Sequence, residues 1–599
     1  MSSRADYETQ MQLFLHNFFL ELEKNPHYTK EDIAKLKVRL CKKYTSIKKI
    51  PTDIELYLRA KSSFAKKYQH HLQTKPNNSL SGVTPVALMT SPHPCPHGKC
   101  RMCPGGVKSP WGDKPQSYTG AEPATMRAER AEFDAYLQVF NRLEQYVVTG
   151  HNPQKVDVII MGGTFPARTK EYQDQFVCDV LNAMNTFSEL FFSDGVLDLE
   201  AFKTFFELPD DIYCEDRIKK IHNKVLATKK QTSLEHEQEK NEFATIRCIG
   251  MTIETRPDWG YVQHGNSMLE QGATRVELGI QSVYDKALDA ISRGHGSKES
   301  IQSIRQLRDL GFKLNFHMML GLPGVSPQQD VEGLLQLFTN DAYRPDMIKI
   351  YPLLVLPGTQ LEQDFKQGLY KPLTTPLAVD ILAQVIPQIP NYCRVMRVQR
   401  DIPTYRIMVG VDKTNLRQYV DKEIQKRDKH PQEIRSRETG RVAPKQKPVF
   451  ELVVTEYKAS QGKEFFIAME DIANNRIAGF CRLRFPSQQL REEITPTTAL
   501  IRELHVYGAA KELNSGVGAQ SLEQKNTKQG DVQVGSNKGF EIGSSQHKGF
   551  GKKLMKRAEE IAKENGYNHI LVISGIGVRQ YYKKYLGYFQ QGPYVGKKI

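Results

Sequence analysis

Cysteine is scarce in this chain, and its distribution is uneven. There are nine in 599 residues, and six of them (Cys41, Cys178, Cys214, Cys248, Cys393 and Cys481) stand alone. Thiols scattered this way do not form a disulfide framework and fit a reducing compartment, so a cytoplasmic location is expected. Long apolar runs are also missing. No stretch approaches a membrane span and no signal peptide is read at the start, so no membrane partner is expected. Acidic residues are outnumbered, 68 against 83 lysines and arginines, leaving a formal net charge of +15 and a pI near 9.1. Such an excess suits a polyanionic partner, nucleic acid first among them. The length and the 39% hydrophobic content allow more than one domain, each with a sizeable core.

The other three cysteines fall together in Cys95-Pro-His-Gly-Lys-Cys100-Arg-Met-Cys103-Pro-Gly-Gly106, spaced C-x4-C-x2-C. Thiolates at this spacing turn inward from one loop. They serve either an iron–sulfur cluster or a structural zinc with His93 or His97 as fourth ligand. A four-iron cluster held by three cysteines leaves one iron open, which S-adenosylmethionine requires before it can be cleaved.

Residues 1–77 read as a helical, basic segment. Phe14, Leu15, Phe18, Phe19 and Leu22 recur at helical spacing, and Thr29 with Asp32 resembles a capping box. Lys35, Lys37, Arg39, Lys42, Lys43, Lys48 and Lys49 follow, interleaved with Tyr44, Tyr57, Phe64 and Tyr68. The mixture suits phosphate contacts with base stacking, or an ordinary solvated helix face.

From 78 to 405, apolar strands alternate with helical stretches. The strands are Val83–Met89, Val156–Met161, Cys248–Ile253, Arg275–Ile280, Lys313–Leu320, Met347–Tyr351 and Arg394–Val398. Near-continuous apolar strands separated by helices predict an α/β fold, a partial (β/α) barrel with its chemistry at the C-terminal strand ends. Those ends carry Gly162-Gly163, Glu254 and Arg256, Gln281-Ser282, and Gly321 to Gly324. The charged stretch 187–243 reads as a helical surface elaboration. Residues 406–447 read as a linker, with His430 a surface histidine and no zinc expected there.

A second, α+β domain spans 448–599. Antiparallel strands are expected at Phe450–Thr455, Glu464–Ala468, Ile477–Phe485 and Thr498–Val506, then a helix opened by Gln546-His-Lys-Gly549-Phe-Gly551. A Q-x-x-G-x-G turn at a helix N-terminus offers backbone N–H groups to a pyrophosphate, or simply starts a helix. The stretch 508–545 is rich in Gly, Ser, Asn, Gln and Lys, a composition that forms no packed core.

Taken in order, SGVTPVALMTSPHPCPHGKCRMCPGG, QSYTGAEPATMRAERAEFD, MGGTF, IETRPDW, ELGIQSVYD, FHMMLGLPG, KIYPLLV and RVQRDIP resemble the radical S-adenosylmethionine superfamily. Within it they are similar to the family of the Elongator catalytic subunit, in an archaeal-like form. RELHVYG, QHKGFGKKLM and SGIGVRQYYKKYLGY resemble the GNAT acetyltransferase domain of that same family. The resemblance implies a tRNA wobble-uridine carboxymethyltransferase. A 4Fe–4S cluster on Cys95, Cys100 and Cys103 would yield a 5′-deoxyadenosyl radical from S-adenosylmethionine near Gly162 and Gly163. The acetyl group of acetyl-CoA would then join carbon 5 of a uridine in the tRNA anticodon loop, and thioester hydrolysis would leave a carboxymethyl group. It also implies coenzyme A contacts at Lys155, at Glu503, Leu504, His505 and Val506, and at Phe550, Gly551 and Lys552, with Tyr582, and Tyr581 beside it, near the thioester. An electron donor is needed and not specified; further Elongator-type subunits are compatible but not required. Two other readings remain: a protein lysine acetyltransferase with a scaffold barrel, and an RNA-binding subunit with decayed catalysis.

Overall fold

In the computed structural model, residues 4–74, 82–209, 214–442, 444–508 and 549–599 are described. The stretch from 509 to 545, and Gln546, lie outside them.

Seven parallel strands form the first sheet: β1 (Thr84–Met89), β2 (Lys155–Met161), β3 (Arg247–Thr255), β4 (Arg275–Gln281), β5 (Lys313–Leu320), β6 (Met347–Pro352) and β7 (Arg394–Arg397). They lie side by side in chain order, so every C-terminal end faces the same way. The edge strands β1 and β7 do not pair, which leaves a partial barrel. Helices cover its outer face, so the strands are buried on both sides and read as continuous apolar runs.

The second sheet runs β8 (Glu451–Ala459), β9 (Gly462–Asp471), β10 (Arg476–Phe485), β11 (Thr498–Val506), β12 (His569–Val572), β14 (Tyr594–Lys598) and β13 (Phe589–Gln591). β11 and β12 pair in parallel only over Thr498–Ile501. Beyond Ile501 they part, and among the described residues no strand lies beside Glu503–His505 on that side. A helix at Phe550–Glu564 packs Leu554, Met555, Ala558 and Ile561 onto this sheet.

This domain docks on the N-terminal ends of the barrel strands, the face opposite the cysteines. Asp346, directly before β6, accepts two bonds from Arg502 at 2.7 Å and lies 3.4 Å from Arg482. Asp309, shortly before β5, pairs with Arg484 at 2.5 Å, and the Tyr594 hydroxyl donates to the Leu310 carbonyl at 2.9 Å. All of these charged groups are buried. Within 406–447, the helix Leu416–Lys426 buries Leu416, Val420 and Ile424, while Glu438 pairs with Arg394 and Arg437 with Glu470. That stretch therefore ties β7 of the barrel to β9. His430 is exposed.

Two expectations need correcting. The N-terminal helices α1 (Arg4–Lys24), α2 (Lys30–Cys41), α3 (Asp53–Arg59) and α4 (Ser62–Leu72) form, with the Thr29–Asp32 capping box. Their aromatics, however, point inward: Tyr57 and Tyr68 are buried, Phe64 stacks on Phe19, and Tyr44 packs against Phe14. They contribute to the segment's own core, with Tyr44 and Phe64 half-buried, and His70 is the exposed ring of the set. Lys42, Lys43, Lys48 and Lys49 are exposed and have no carboxylate partner among the described residues. The stretch 187–243 is also more than surface. Phe202 and Phe206 bury themselves against Phe187 and Phe191, and Glu242 pairs with Arg579 and Lys583 of the second domain.

Candidate active site

The loop after β1 carries the three cysteines over the C-terminal strand ends. Cys95, Cys100 and Cys103 line one cavity of about 200 Å³ together with Gly163, Thr164 and residues from the ends of β3 to β7. Gly162 has φ +122°, and a Cβ there would lie 2.4 Å from the Thr90 hydroxyl, so only glycine lets β2 turn under the cavity. Cys103 Sγ accepts from the Ser117 backbone N–H at 3.2 Å, Cys95 lies 3.8 Å from the Thr164 hydroxyl, and Cys100 contacts His97 at 3.2 Å and Arg293 at 3.7 Å.

Do these residues fit a cluster? A single zinc with Zn–S bonds of ~2.3 Å draws its thiolates to within about 3.8 Å of one another. Among the described residues, the ligand atoms of Glu254, Glu277 and His317 fall within 4.8 Å of one another, whereas the three thiols do not. Three thiols around one open cavity, not drawn together to single-ion distance, are compatible with a multi-iron cluster. A cluster on three thiolates would be anionic, and the Arg293 guanidinium, 3.7 Å from Cys100 Sγ, would offset that charge. Burial pushes the Cys95 and Cys103 thiols up, which metal charge would offset. Burial, then Arg256 and Arg293, hold the His97 imidazole down to about 4, leaving it neutral.

The cavity floor is charged. Glu277 is buried and binds His317 at 2.7 Å, Asn315 at 3.0 Å and Lys349, whose ammonium also lies 3.6 Å from Glu254. Burial alone would raise the Glu277 carboxyl, but Lys349 and His317 hold it well below the usual carboxylate range. The cation among these carboxylates is therefore Lys349. Sequence reasoning did not single out Glu277, His317 or Lys349. The signal was one ionisable residue set in each of the apolar runs VELGI, NFHMML and MIKIY, which places it inside the barrel.

Lys155 opens β2, so it sits at the opposite end of that strand from Gly162-Gly163, about 20 Å away at ~3.3 Å per residue. It lies in the seam beside Arg247, which packs under Gly577, and it has no ion-pair partner among the described residues. Burial and Arg247 lower its ammonium pKa. Along β11 the side chains alternate. Glu503 faces the barrel and pairs with Arg482 at 2.9 Å, and His505 stacks beside Phe480 and Tyr507. Leu504 and Val506 face the helix Phe550–Glu564 side. Gly549, in a left-handed conformation, precedes Phe550 and Gly551, and exposed Lys552 follows. The Tyr581 hydroxyl lies 3.0 Å from where a Cβ on Gly551 would stand. Tyr582 is buried, and its hydroxyl has no hydrogen-bond partner among the described residues; burial raises it well above the ordinary phenol range. The structure thus brings the predicted residues together as two groups, the cysteines and Gly162-Gly163 at one end of the barrel, Lys155 and the second domain's residues at the other.

Three family descriptions match the chain: Radical SAM superfamily over residues 91–338, Radical_SAM C-terminal domain over 345–426, and Acetyltransferase (GNAT) family over 543–588. The chain is 41% identical over 534 residues to the tRNA uridine(34) acetyltransferase of Methanocaldococcus infernus, an alignment covering 88% of each chain. It is 35% identical over 586 residues to Elongator complex protein 3 of Homo sapiens, covering 95% of this chain and 93% of that one. The solved structure of the archaeal Methanocaldococcus infernus Elp3 with an N-terminal deletion matches with a TM-score of 0.67 and 36% identity, covering 87% of this chain and 100% of that one.

Proposed function

The chain belongs to the family of the archaeal tRNA uridine(34) acetyltransferases and eukaryotic Elongator complex protein 3, and from that premise we propose how its two ends divide the work. It is a radical SAM enzyme of tRNA wobble-uridine modification that uses a 4Fe–4S cluster, S-adenosylmethionine and acetyl-CoA. Cys95, Cys100 and Cys103 hold the cluster, and the Gly162-Gly163 turn lets S-adenosylmethionine lie close to backbone. When bound, the cluster supplies one electron for the reductive cleavage of S-adenosylmethionine. The uridine, splayed out of a single-stranded anticodon loop, enters over Glu277, His317 and Lys349. At the other end, coenzyme A lies in the gap where β11 leaves β12. The backbone of Glu503, Leu504, His505 and Val506 pairs with its pantetheine, Phe550, Gly551 and Lys552 meet the pyrophosphate, and Lys155 meets its negative charge. Tyr582 donates toward the thioester and Tyr581 stands at the pyrophosphate turn.

The observation that carries this reading is one cavity in which three thiols, a glycine turn and a buried Glu277–Lys349 pair converge at the barrel's C-terminal face. The lysine acetyltransferase reading has less support. Glu503 is held by Arg482, and the His505 Nε2 is buried where the ring packs on Phe480 and Tyr507, so neither presents a base to an incoming amine. The test is nucleoside mass spectrometry of tRNA incubated anaerobically with acetyl-CoA, S-adenosylmethionine and reductant. Carboxymethylated wobble uridine is expected from the native chain and none from Cys103→Ala, which should also lose bound iron. Acetylated protein lysine with unmodified tRNA would reverse the conclusion.

The N-terminal segment provides a second expectation. With Tyr57 and Tyr68 buried and Lys42, Lys43, Lys48 and Lys49 exposed, its main contribution to RNA is electrostatic. Changing Lys42, Lys43, Lys48 and Lys49 to glutamate should weaken tRNA binding and lower the slope of log affinity against log salt by about 0.7 for each phosphate no longer neutralised. A slope that does not move would remove this segment from the RNA interface.

A further inference from the structure

A second cavity, of about 340 Å³, lies where the N-terminal helices, the helices before β2 and the 187–243 stretch meet. Four arginines line it: Arg127 and Arg130 from the helix α5 (Pro123–Arg130), Arg142 from α6 (Ala135–Val148), and Arg217 from the helix Glu215–Thr228. Against them stands one carboxylate, Glu144, 3.4 Å from Arg217. Arg127 and Arg142 have no carboxylate partner among the described residues. The Arg142 guanidinium lies over the Tyr146 ring, 4.2 Å from its centre, and is fixed by bonds to Gln145 and the Tyr146 hydroxyl. The Nε atoms of Arg142 and Arg217 are buried with no hydrogen-bond partner. An ordinary solvated face does not gather several guanidiniums in a concave site and leave buried donors unpaired. Part of the lining is apolar, with Ile54, Ile218 and Ile221. Burial and then Arg142 hold the Arg127 guanidinium down to about 10, a strain that an anion would relieve.

The position matters as much as the charge. Pro123 and Ala124, at the start of α5, line the cysteine cavity, and Arg127 and Arg130, toward its end, line this one. An eight-residue helix is about 12 Å long, so the two cavities are neighbours joined by one rigid element.

We propose that this arginine cavity seats a nucleotide flanking the modified uridine, its phosphodiester gripped by Arg127, Arg142 and Arg217 and its base laid against the isoleucines. The proposal rests on the tRNA reading above. Guanidinium forks match phosphate oxygens two at a time, and a flanking nucleotide fixed one helix length away would hold the uridine in register over Glu277 and Lys349. It also assigns a role to the 187–243 stretch, which supplies Arg217, Ile218 and Ile221.

The test uses the full chain and an anticodon stem-loop RNA, with affinity measured across a salt series. Arg127→Gln should weaken binding about tenfold and lower the log–log slope by about 0.7, the single-strand value for one neutralised phosphate. Arg127→Lys should keep the slope and lose part of the affinity. A thermal melt checks folding, and Arg217→Gln replaces Arg127→Gln if the latter is unstable. RNA carrying one neutral methylphosphonate beside the uridine completes the cycle: it should bind the native chain about tenfold more weakly and bind Arg127→Gln with no further loss. An unchanged slope and affinity for both glutamine variants, or an equal methylphosphonate penalty in the native and variant chains, would overturn the proposal while leaving the tRNA reading intact. If the native chain bound no RNA, the tRNA reading itself would fail, and this proposal with it.

Discussion

Asp346→Ala is expected to lower the stability of the protein by about 3–5 kcal/mol, read as a fall in the urea midpoint of the native chain. Asp346 is fully buried and accepts from Arg502 twice, from the Leu314 backbone N–H at 2.9 Å, and faces Arg482 at 3.4 Å. Burial alone would raise its carboxyl, but Arg502 and Arg482 hold it well below the usual carboxylate range. Removing it takes from the buried Arg502 and Arg482 the carboxylate they share, leaving Arg502 with Glu464 alone and Arg482 with Glu503 alone. The penalty comes from that lost partner and not from a large net worth of the pair, since charges taken out of water recover little more than their desolvation cost. Asp346→Leu with Arg502→Met should therefore recover most of the loss. If the single variant unfolded at the native midpoint, the ion network would be incidental to docking.

The barrel strands were legible because strands covered on both faces read as apolar runs whatever their neighbours do. Lys313–Leu320 of the barrel comes out with the bounds expected, as does Thr498–Val506 of the second domain. The cysteine loop was legible because its spacing is local. The seam was not. Arg482, Arg484 and Arg502 sit in strands where an arginine reads equally as solvent-facing, and only the arrival of Asp309 and Asp346 from another domain makes burial tolerable. The interleaved aromatics of residues 35–71 depart from expectation for a related reason: spacing alone does not say which way a ring points, and the Phe19–Phe64 stack at 5.2 Å joins residues far apart in the chain. The arginine cavity was equally hidden, since its four guanidiniums come from three separate helices.

Placing the second domain at the far end of the barrel changes how the two halves must communicate. A hinged closure that carries acetyl-CoA toward the cysteines would have to break the buried Arg484–Asp309 and Arg502–Asp346 pairs. The connection available without that is the barrel interior. An ordinary barrel of this kind is filled by branched apolar side chains. Here the inward positions of β5 are Lys313, Asn315, His317 and Met319. Lys313 lies 3.9 Å from Glu503 of the second domain, Asn315 and His317 bind Glu277, and Met319 lines the cysteine cavity. That series spans about 20 Å at ~3.3 Å per residue. Acetyl-CoA hydrolysis should rise when tRNA is added, and Lys155→Ala should lower that stimulated hydrolysis about tenfold while tRNA affinity stays the same. Lys313→Met removes the barrel-side cation from Glu503 and leaves both ends otherwise intact. It should preserve hydrolysis but lower carboxymethyluridine formed per acetyl-CoA consumed by roughly tenfold, within the range over which residues between sites modulate coupling. The ratio of the two products is the measurement to make, because a simple loss of folding would lower both together. If Lys313→Met left that ratio unchanged, the charged interior of the barrel would play no part in joining the sites.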